Sequence, residues 1–285
     1  MPISGEITPP LPGGPSVHGV RWTLTPPASD HAGQPADTGS TGTPSGNQIA
    51  TVTLARPERR NAQTPGTWRA LAAVGRQLPG SVRVVLVRGE GPDFSAGLDL
   101  AELGPEQVRG YADRSDAELD ALLASYQECF DWLRRPDLIS VAVVAGAAVG
   151  VGFQLALACD LRVLATDARL AMAEITHGLV PDMGGTGPLV AAVGYPRALE
   201  LCATGRWVHA DEAVRLGLAT VAVDRAELDA AAADLVAALL GGDRDALVEL
   251  KALLVPAAAR TGPQQLAAER QAQARRLRAL AGLGE

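Results

Sequence analysis

Two almost unbroken apolar runs dominate the hydropathy pattern of the chain, Val82-Arg83-Val84-Val85-Leu86-Val87 and Ile139-Ser140-Val141-Ala142-Val143-Val144-Ala145. Each is short enough for a strand and lacks the alternation of a half-exposed one. Such runs point to strands covered on both faces, as in a parallel α/β sheet. Ile49–Leu54 and Leu161–Leu164 read the same way. Between them lie helical signals. Thr64-Pro65 forms a cap with proline at the first helical position, opening a helix through Trp68, Leu71, Val74 and Leu78. A helix over 116–134 puts Leu119, Leu122, Leu123, Tyr126, Phe130 and Leu133 on one stripe. Another follows at 152–159. Trp68 and Trp132 are expected in packing. Beyond about 225 the pattern is wholly helical, at 226–240, 243–254 and 263–281, the last as an outer layer.

Strand and helix thus alternate from Ile49 to Val223, and three regions follow: 1–47, 48–223 and 224–285. Residues 1–16 and 26–47 are rich in Pro, Gly, Ser and Thr, too poor in large apolar groups to offset chain ordering, and are expected to be flexible. Val20-Arg21-Trp22-Thr23-Leu24 is open to two readings: an edge strand paired with Ile49–Leu54, or part of a disordered tail.

Composition narrows the possibilities. The 285 residues are 47% hydrophobic and 20% charged, as in a globular protein. A formal net charge of −7, with Lys251 the single lysine, argues against nucleic-acid binding. Cys129, Cys159 and Cys202 are far apart and show no metal-ligand spacing. No signal peptide or membrane-length apolar stretch is apparent, so a soluble, cytoplasmic protein is expected.

Both apolar runs lead into small-residue turns, Phe94-Ser95-Ala96-Gly97-Leu98-Asp99-Leu100 and Ala145-Gly146-Ala147-Ala148-Val149-Gly150-Val151-Gly152-Phe153-Gln154. Such turns expose backbone N–H groups, and two converging turns can hold a developing oxyanion. Carbonyl chemistry is the natural use. A serine peptidase is disfavoured, because Ser95 lacks a G-x-S-x-G elbow. Dinucleotide binding is disfavoured too, since Gly150-Val151-Gly152 lacks the third glycine.

Phe94–Asp99, the Gly150-Val151-Gly152 turn with Leu155-Ala156-Leu157-Ala158-Cys159-Asp160, and Leu179-Val180-Pro181-Asp182-Met183-Gly184-Gly185-Thr186 together resemble the crotonase (enoyl-CoA hydratase/isomerase) family. So do Arg56-Pro57 with Asn61-Ala62, and Thr204-Gly205 leading to Ala210-Asp211-Glu212-Ala213 and Leu216-Gly217-Leu218. The resemblance implies an α/β spiral of ββα units with a C-terminal helical oligomerisation region, assembled as a homotrimer or dimer of trimers. It implies an acyl-CoA thioester substrate, with coenzyme A part of the substrate and no separate cofactor or metal. It places the thioester oxygen between the N–H groups of Ala96 and Val151, where many relatives have glycine at the second position. Arg56, Asn61, Ala62, Gly97, Leu98, Asp99, Leu100 and Gly150 are implied along the coenzyme path, with Arg56, Arg59 and Arg60 as phosphate contacts and the 104–120 segment as part of the pocket wall.

Hydratases of the family usually carry two glutamates around one water. Here those positions hold Gln154 and Glu174. An amide cannot exchange a proton at neutral pH, whereas shifting a double bond needs a single base. The expectation is isomerisation with Glu174 as acid/base; hydration of 2-enoyl-CoA, or a catalytically weak acyl-CoA binder, is the alternative. Asp182 is open to two readings, a second proton carrier or a cap for the next helix. His177 reads as a neighbour and His209 as a helix boundary.

Overall fold

The computed structural model describes residues 9–26 and 48–282. The flexibility expected for 1–8 and 27–47 lies outside the described residues. Six strands make the main sheet: β1 (Val20–Thr25), β2 (Gln48–Leu54), β3 (Val82–Gly89), β4 (Ile139–Val144), β6 (Leu161–Ala165) and β9 (Val221–Val223), hydrogen-bonded in that order. Strand β1 is antiparallel to β2, with Val20 opposite Leu54; the remaining pairs are parallel. The smaller sheet is β5 (Ala147–Val149), β7 (Arg169–Ala171) and β8 (Val208–His209).

Alternate side chains of β3 and β4 serve two cores, which explains why these strands read as continuous apolar runs. Val82, Val85, Val87, Ala142 and Val144 face α1 (Pro65–Gln77) and α3 (Asp116–Asp131). Val84, Val141, Val143 and Val163 face Leu228, Ala232 and Val236 of α8 (Leu228–Leu240). Helix α1 opens as its sequence dictates: Thr64 accepts from Thr67 N, Thr67 reciprocates, and Pro65 occupies the first turn. Ser115 and Glu118 do the same for α3. Trp68 and Trp132 are both buried.

The other helices are α2 (Pro105–Ala112), α4 (Val151–Ala158), α5 (Thr186–Val193), α6 (Tyr195–Thr204), α7 (Ala210–Arg215), α9 (Arg244–Leu254) and the long α10 (Gly262–Leu280). Lys251 of α9 is 5% exposed. Its ammonium donates to Leu138 O (2.8 Å) and to Asp160 Oδ2 (2.7 Å), docking α9 on the core.

Residues 9–16, assigned by composition to a flexible segment, are instead held. Trp22 Nε1 donates to Pro10 O at 2.8 Å and Gly13 N to Trp22 O at 2.8 Å. Buried Trp22 supplies the apolar anchor that these residues lack themselves.

Candidate active site

The smaller sheet extends along the spiral through single parallel bridges, Ser95 to Ala148 and Gln63 to Leu98. Ser95 N donates to Ala147 O at 2.9 Å and Val149 N to Ser95 O at 3.0 Å, fastening the first glycine turn to the second. Gly97 lies at φ +93, and a Cβ there would sit 2.6 Å from Val149 O. The two turns are therefore in contact, at a separation only glycine permits. Beneath them, buried Ser95 donates to Asn61 O (2.8 Å) and accepts from Gln63 Nε2 (3.1 Å) and Gly97 N (3.3 Å). Its hydroxyl is a strut for the turn, in keeping with the missing nucleophile elbow.

The first of the two amides implied for the thioester oxygen is not free. Ala96 N donates to Arg60 O at 2.8 Å and cannot also serve a ligand. Gln63 N donates to Gly97 O (2.7 Å) and Asp99 N to Gln63 O (2.8 Å), so the residue between them presents its N–H to the opposite side. That residue is Leu98, whose N–H has no acceptor among the described residues and which lines the main cavity. In the second turn Gly150 N is taken by Ala171 O, while Val151 N, in the open first turn of α4, likewise has no acceptor among the described residues. All eight residues of α4 are buried, and the positive end of its dipole lies at this amide.

The cavity measures about 760 Å³ and receives most of the residues implied by sequence. Ala62, Gly97, Leu98, Asp99 and Leu100 line one side; Gly150, Val151, Gln154, Glu174 and Asp182 line another. Val108, Tyr111 and Leu119, from the 104–120 segment, contribute wall. Arg56 and Asn61 do not line it. Buried Asn61 (1% exposed) accepts from Arg56 N at 2.9 Å and donates to Glu90 O at 2.9 Å and Asp93 O at 2.8 Å. Arg56 donates to Ala62 O (2.9 Å) and to Asp99 Oδ2 (3.1 Å). Both residues scaffold the first turn. Burial opposes the Asp99 charge, but Ala101 N and the Arg56 and Arg59 guanidiniums hold its carboxyl below the usual carboxylate range. Arg59 and Arg60 do line the cavity, with side chains about half exposed (55% and 53%).

Glu174 begins a short helical turn after β7, and its carboxyl is aimed at the second glycine turn. A Cβ on Gly150 would lie 3.2 Å from its Oε1. Gln154 Nε2 donates to that Oε1 at 2.7 Å. The orientation of this amide is fixed by its other end, because Gln154 Oε1 accepts from Met183 N (2.9 Å) and Gly185 N (3.2 Å). Glu174 Oε2 is buried and has no partner among the described residues. Burial pushes the Glu174 carboxyl above its ordinary range; the Gln154 hydrogen bond opposes this and the Asp182 charge adds to it.

Asp182 is not a helix cap. Helix α5 begins at Thr186 with Gly185 in the cap position and no side-chain cap bond. The Asp182 carboxyl opens on the cavity instead, and burial by the surrounding walls raises its pKa. His177 is an exposed member of the rim, and His209 is the boundary residue preceding α7. Sequence reasoning missed the Leu98 amide and the Trp68 and Tyr126 side chains that line the same cavity. Amides two apart in an extended segment face the same way, so only the Arg60 carbonyl that takes Ala96 N separates residue 96 from residue 98.

The family model described as Enoyl-CoA hydratase/isomerase matches residues 45–279. A Thermobifida fusca protein described as "a putative enoyl-CoA hydratase" and solved in complex with CoA is 44% identical, with a TM-score of 0.81 over 93% of this chain and 95% of that one. The "probable enoyl-CoA hydratase" of Bacillus subtilis (strain 168) is 37% identical over 149 residues, 52% of this chain and 55% of the relative. The human mitochondrial Delta(3,5)-Delta(2,4)-dienoyl-CoA isomerase is 32% identical over 173 residues, 59% of this chain and 53% of that protein. The chain thus spans just over half the length of these two curated relatives. Because the family match runs over most of the chain and the spiral superposes on the Thermobifida protein nearly end to end, the chain belongs to the enoyl-CoA hydratase/isomerase family.

Proposed function

We propose that the chain moves a carbon–carbon double bond in the acyl group of a coenzyme A thioester, whose carbonyl oxygen is held by the N–H groups of Leu98 and Val151. Glu174, as carboxylate, takes a proton from C2 of a 3-enoyl thioester. The electron pair passes to the thioester oxygen, giving a dienolate that the two amides stabilise. Glu174 then returns the proton to C4, leaving the 2-enoyl product. Each amide donor is worth on the order of 10²–10³ in rate. A carboxyl raised by burial suits this work, since its proton affinity approaches that of the carbon acid it serves.

The observation that carries this preference is the fixed Gln154 amide. With its oxygen held by Met183 N and Gly185 N, its NH2 faces Glu174 and has no proton to exchange. Hydration needs a proton taken from water and another given to carbon; isomerisation needs one shuttle. Asp182, open to the same cavity and also raised by burial, provides a second carboxyl for passing a proton between more distant carbons of a dienoyl thioester. The name of the human relative favours that extension. The names of the Bacillus and Thermobifida proteins favour the alternative, hydration of 2-enoyl-CoA. Coenzyme A enters as part of the substrate, its phosphates against Arg59 and Arg60 at the rim.

Purified protein assayed with 3-enoyl-, 3,5-dienoyl- and 2-enoyl-CoA esters tests the reading. Isomerisation is expected to exceed hydration, Glu174→Gln to abolish both, and Asp182→Asn to depress the dienoyl reaction selectively. Fast hydration with negligible isomerisation would overturn the preference.

A further inference from the structure

Gln63 stands just before the Thr64 cap of α1, is 0% exposed and does not itself line the cavity. A side-chain amide in such a place needs partners at both ends, and the two it finds lead in different directions. Its oxygen accepts from Trp68 Nε1 at 3.0 Å, and Trp68 is a cavity wall, its ring 4.9 Å from that of Tyr126. Its NH2 donates to the Ser95 hydroxyl at 3.1 Å. An indole N–H can only donate, so the Gln63 amide cannot be turned over, and the direction of each later bond is set from Trp68 inward. Ser95 Oγ accepts from Gln63 and from Gly97 N (3.3 Å) and therefore directs its own hydrogen at Asn61 O (2.8 Å). The Gln63 main chain grips the same turn again. It bridges Leu98 in parallel, donating to Gly97 O at 2.7 Å and accepting from Asp99 N at 2.8 Å. One buried residue thus holds both neighbours of the free Leu98 amide, through its backbone and through its side chain.

From this chain of buried hydrogen bonds, we infer that Gln63 is a positioning residue for the thioester oxygen. It sets where the Leu98 N–H stands and ties that amide to the Trp68 wall of the cavity. The inference rests on the acyl-CoA reading of the cavity and deepens it. Gln63 touches no ligand; it acts through Ser95 Oγ, Gly97 and Leu98. The physical ground is preorganisation. An oxyanion donor lowers a barrier only when it already stands where charge develops. Gly97, at φ +93, brings no side chain of its own to hold that place. The Gln63 amide supplies the missing support from behind, and the donor-only Trp68 indole keeps that amide in one orientation.

Gln63→Met keeps the length of the side chain and removes both of its bonds. Its kcat on a 3-enoyl-CoA is expected to fall on the order of tenfold to a hundredfold, part of what one donor is worth, with KM moving less than about threefold. Trp68→Phe keeps a ring in the wall and removes only the indole donor. It should give a smaller fall in kcat, and the two substitutions together no more than Gln63→Met alone, since both cut one chain. Bound 2,4-hexadienoyl-CoA reads the amides without turnover in a Glu174→Gln background. Hydrogen bonds to the thioester oxygen move the ultraviolet band of this conjugated ester to longer wavelength, and both substitutions should shrink that displacement. Should Gln63→Met fail to fold, Trp68→Phe decides alone. Full displacement and full kcat, with only the urea midpoint lowered, overturn the inference and leave the acyl-CoA reading intact. An ester that binds the Glu174→Gln parent with no displacement overturns the oxyanion site and the inference with it. Absence of binding to that parent and to the wild-type chain overturns the acyl-CoA reading itself.

Discussion

Gly97 shows how much of the site depends on a missing side chain. Its φ of +93 and the 2.6 Å that would separate a Cβ there from Val149 O mean that alanine must push the two turns apart. Gly97→Ala is expected to lower kcat on the order of 10²–10³, the worth of one oxyanion donor, while circular dichroism stays native. Unchanged kcat would show that the turns do not act together. Glu174 makes the opposite trade, sacrificing stability for proton affinity. Burial raises its carboxyl above the ordinary 4.5. For a raised acid the stabilising contribution is complete below the unfolded value and is lost as pH rises through the folded one. Glu174→Gln should therefore be more stable than wild type at pH 7, by about 1–3 kcal/mol for a buried polar group without a partner, with the gap closing towards pH 4. Urea melts at the two pH values decide this, and an equal gap at both would refute it. Much of this was legible in the sequence. The identity and spacing of Gln154, Glu174 and Asp182 put all three in one cavity. Which amide of Ser95–Asp99 is free was not legible, because it depends on the partners found by Ala96 and Asp99 in a distant turn. Arg56 and Asn61 read as ligand contacts for the same reason: sequence shows a polar group but not the carbonyls that occupy it.

At the level of elements, the site is a junction between α4 and the turn before α5, joined through one side chain. Gln154 ties the Met183 and Gly185 amides to Glu174, so one side chain holds both the loop bearing Asp182 and the base. Gln154→Glu keeps an acceptor for those amides but places a second carboxyl against Glu174. Two such groups share a proton, which drives one pKa up. The variant is expected to gain hydration of 2-enoyl-CoA, lose isomerisation and shift its pH–rate profile upward; assays with both substrates across pH measure this, and an unchanged product ratio would refute it. The long elements were readable because capping residues and stripes agree, as at Thr64-Pro65 and Ser115. Helix α2 and the three-residue strands were not, since β5, β7 and β9 are too short to show a period and exist only through their neighbours.

The fold of the whole molecule leaves several large apolar side chains uncovered. Helix α8 seals the main sheet, Lys251 docks α9, and α10 follows α9 through Arg275–Glu249 (2.6 Å) and Arg276–Asp243 (2.7 Å). The outer ion pairs are exposed at one or both partners and contribute little; the buried Lys251–Asp160 pair is the joint that matters. Lys251→Met is expected to cost about 3 kcal/mol by stranding Asp160, measured by denaturant unfolding, and a neutral substitution would show that apolar contact alone docks the C-terminal helices. Beyond that joint, Leu254 (62%), Leu280 (77%), Val180 (71%) and Tyr195 (67%) stand open to solvent. Large apolar side chains left out on α6, α9 and α10, and at the cavity rim by Val180, are the pattern of a surface meant for burial. The homotrimer, or dimer of trimers, that the family resemblance implies would cover it by setting copies of these helices against one another. Light scattering on the purified chain should return three or six times the monomer mass, and Leu254→Glu combined with Leu280→Glu should reduce it to one. A monomeric wild type would leave this apolar surface to a different partner.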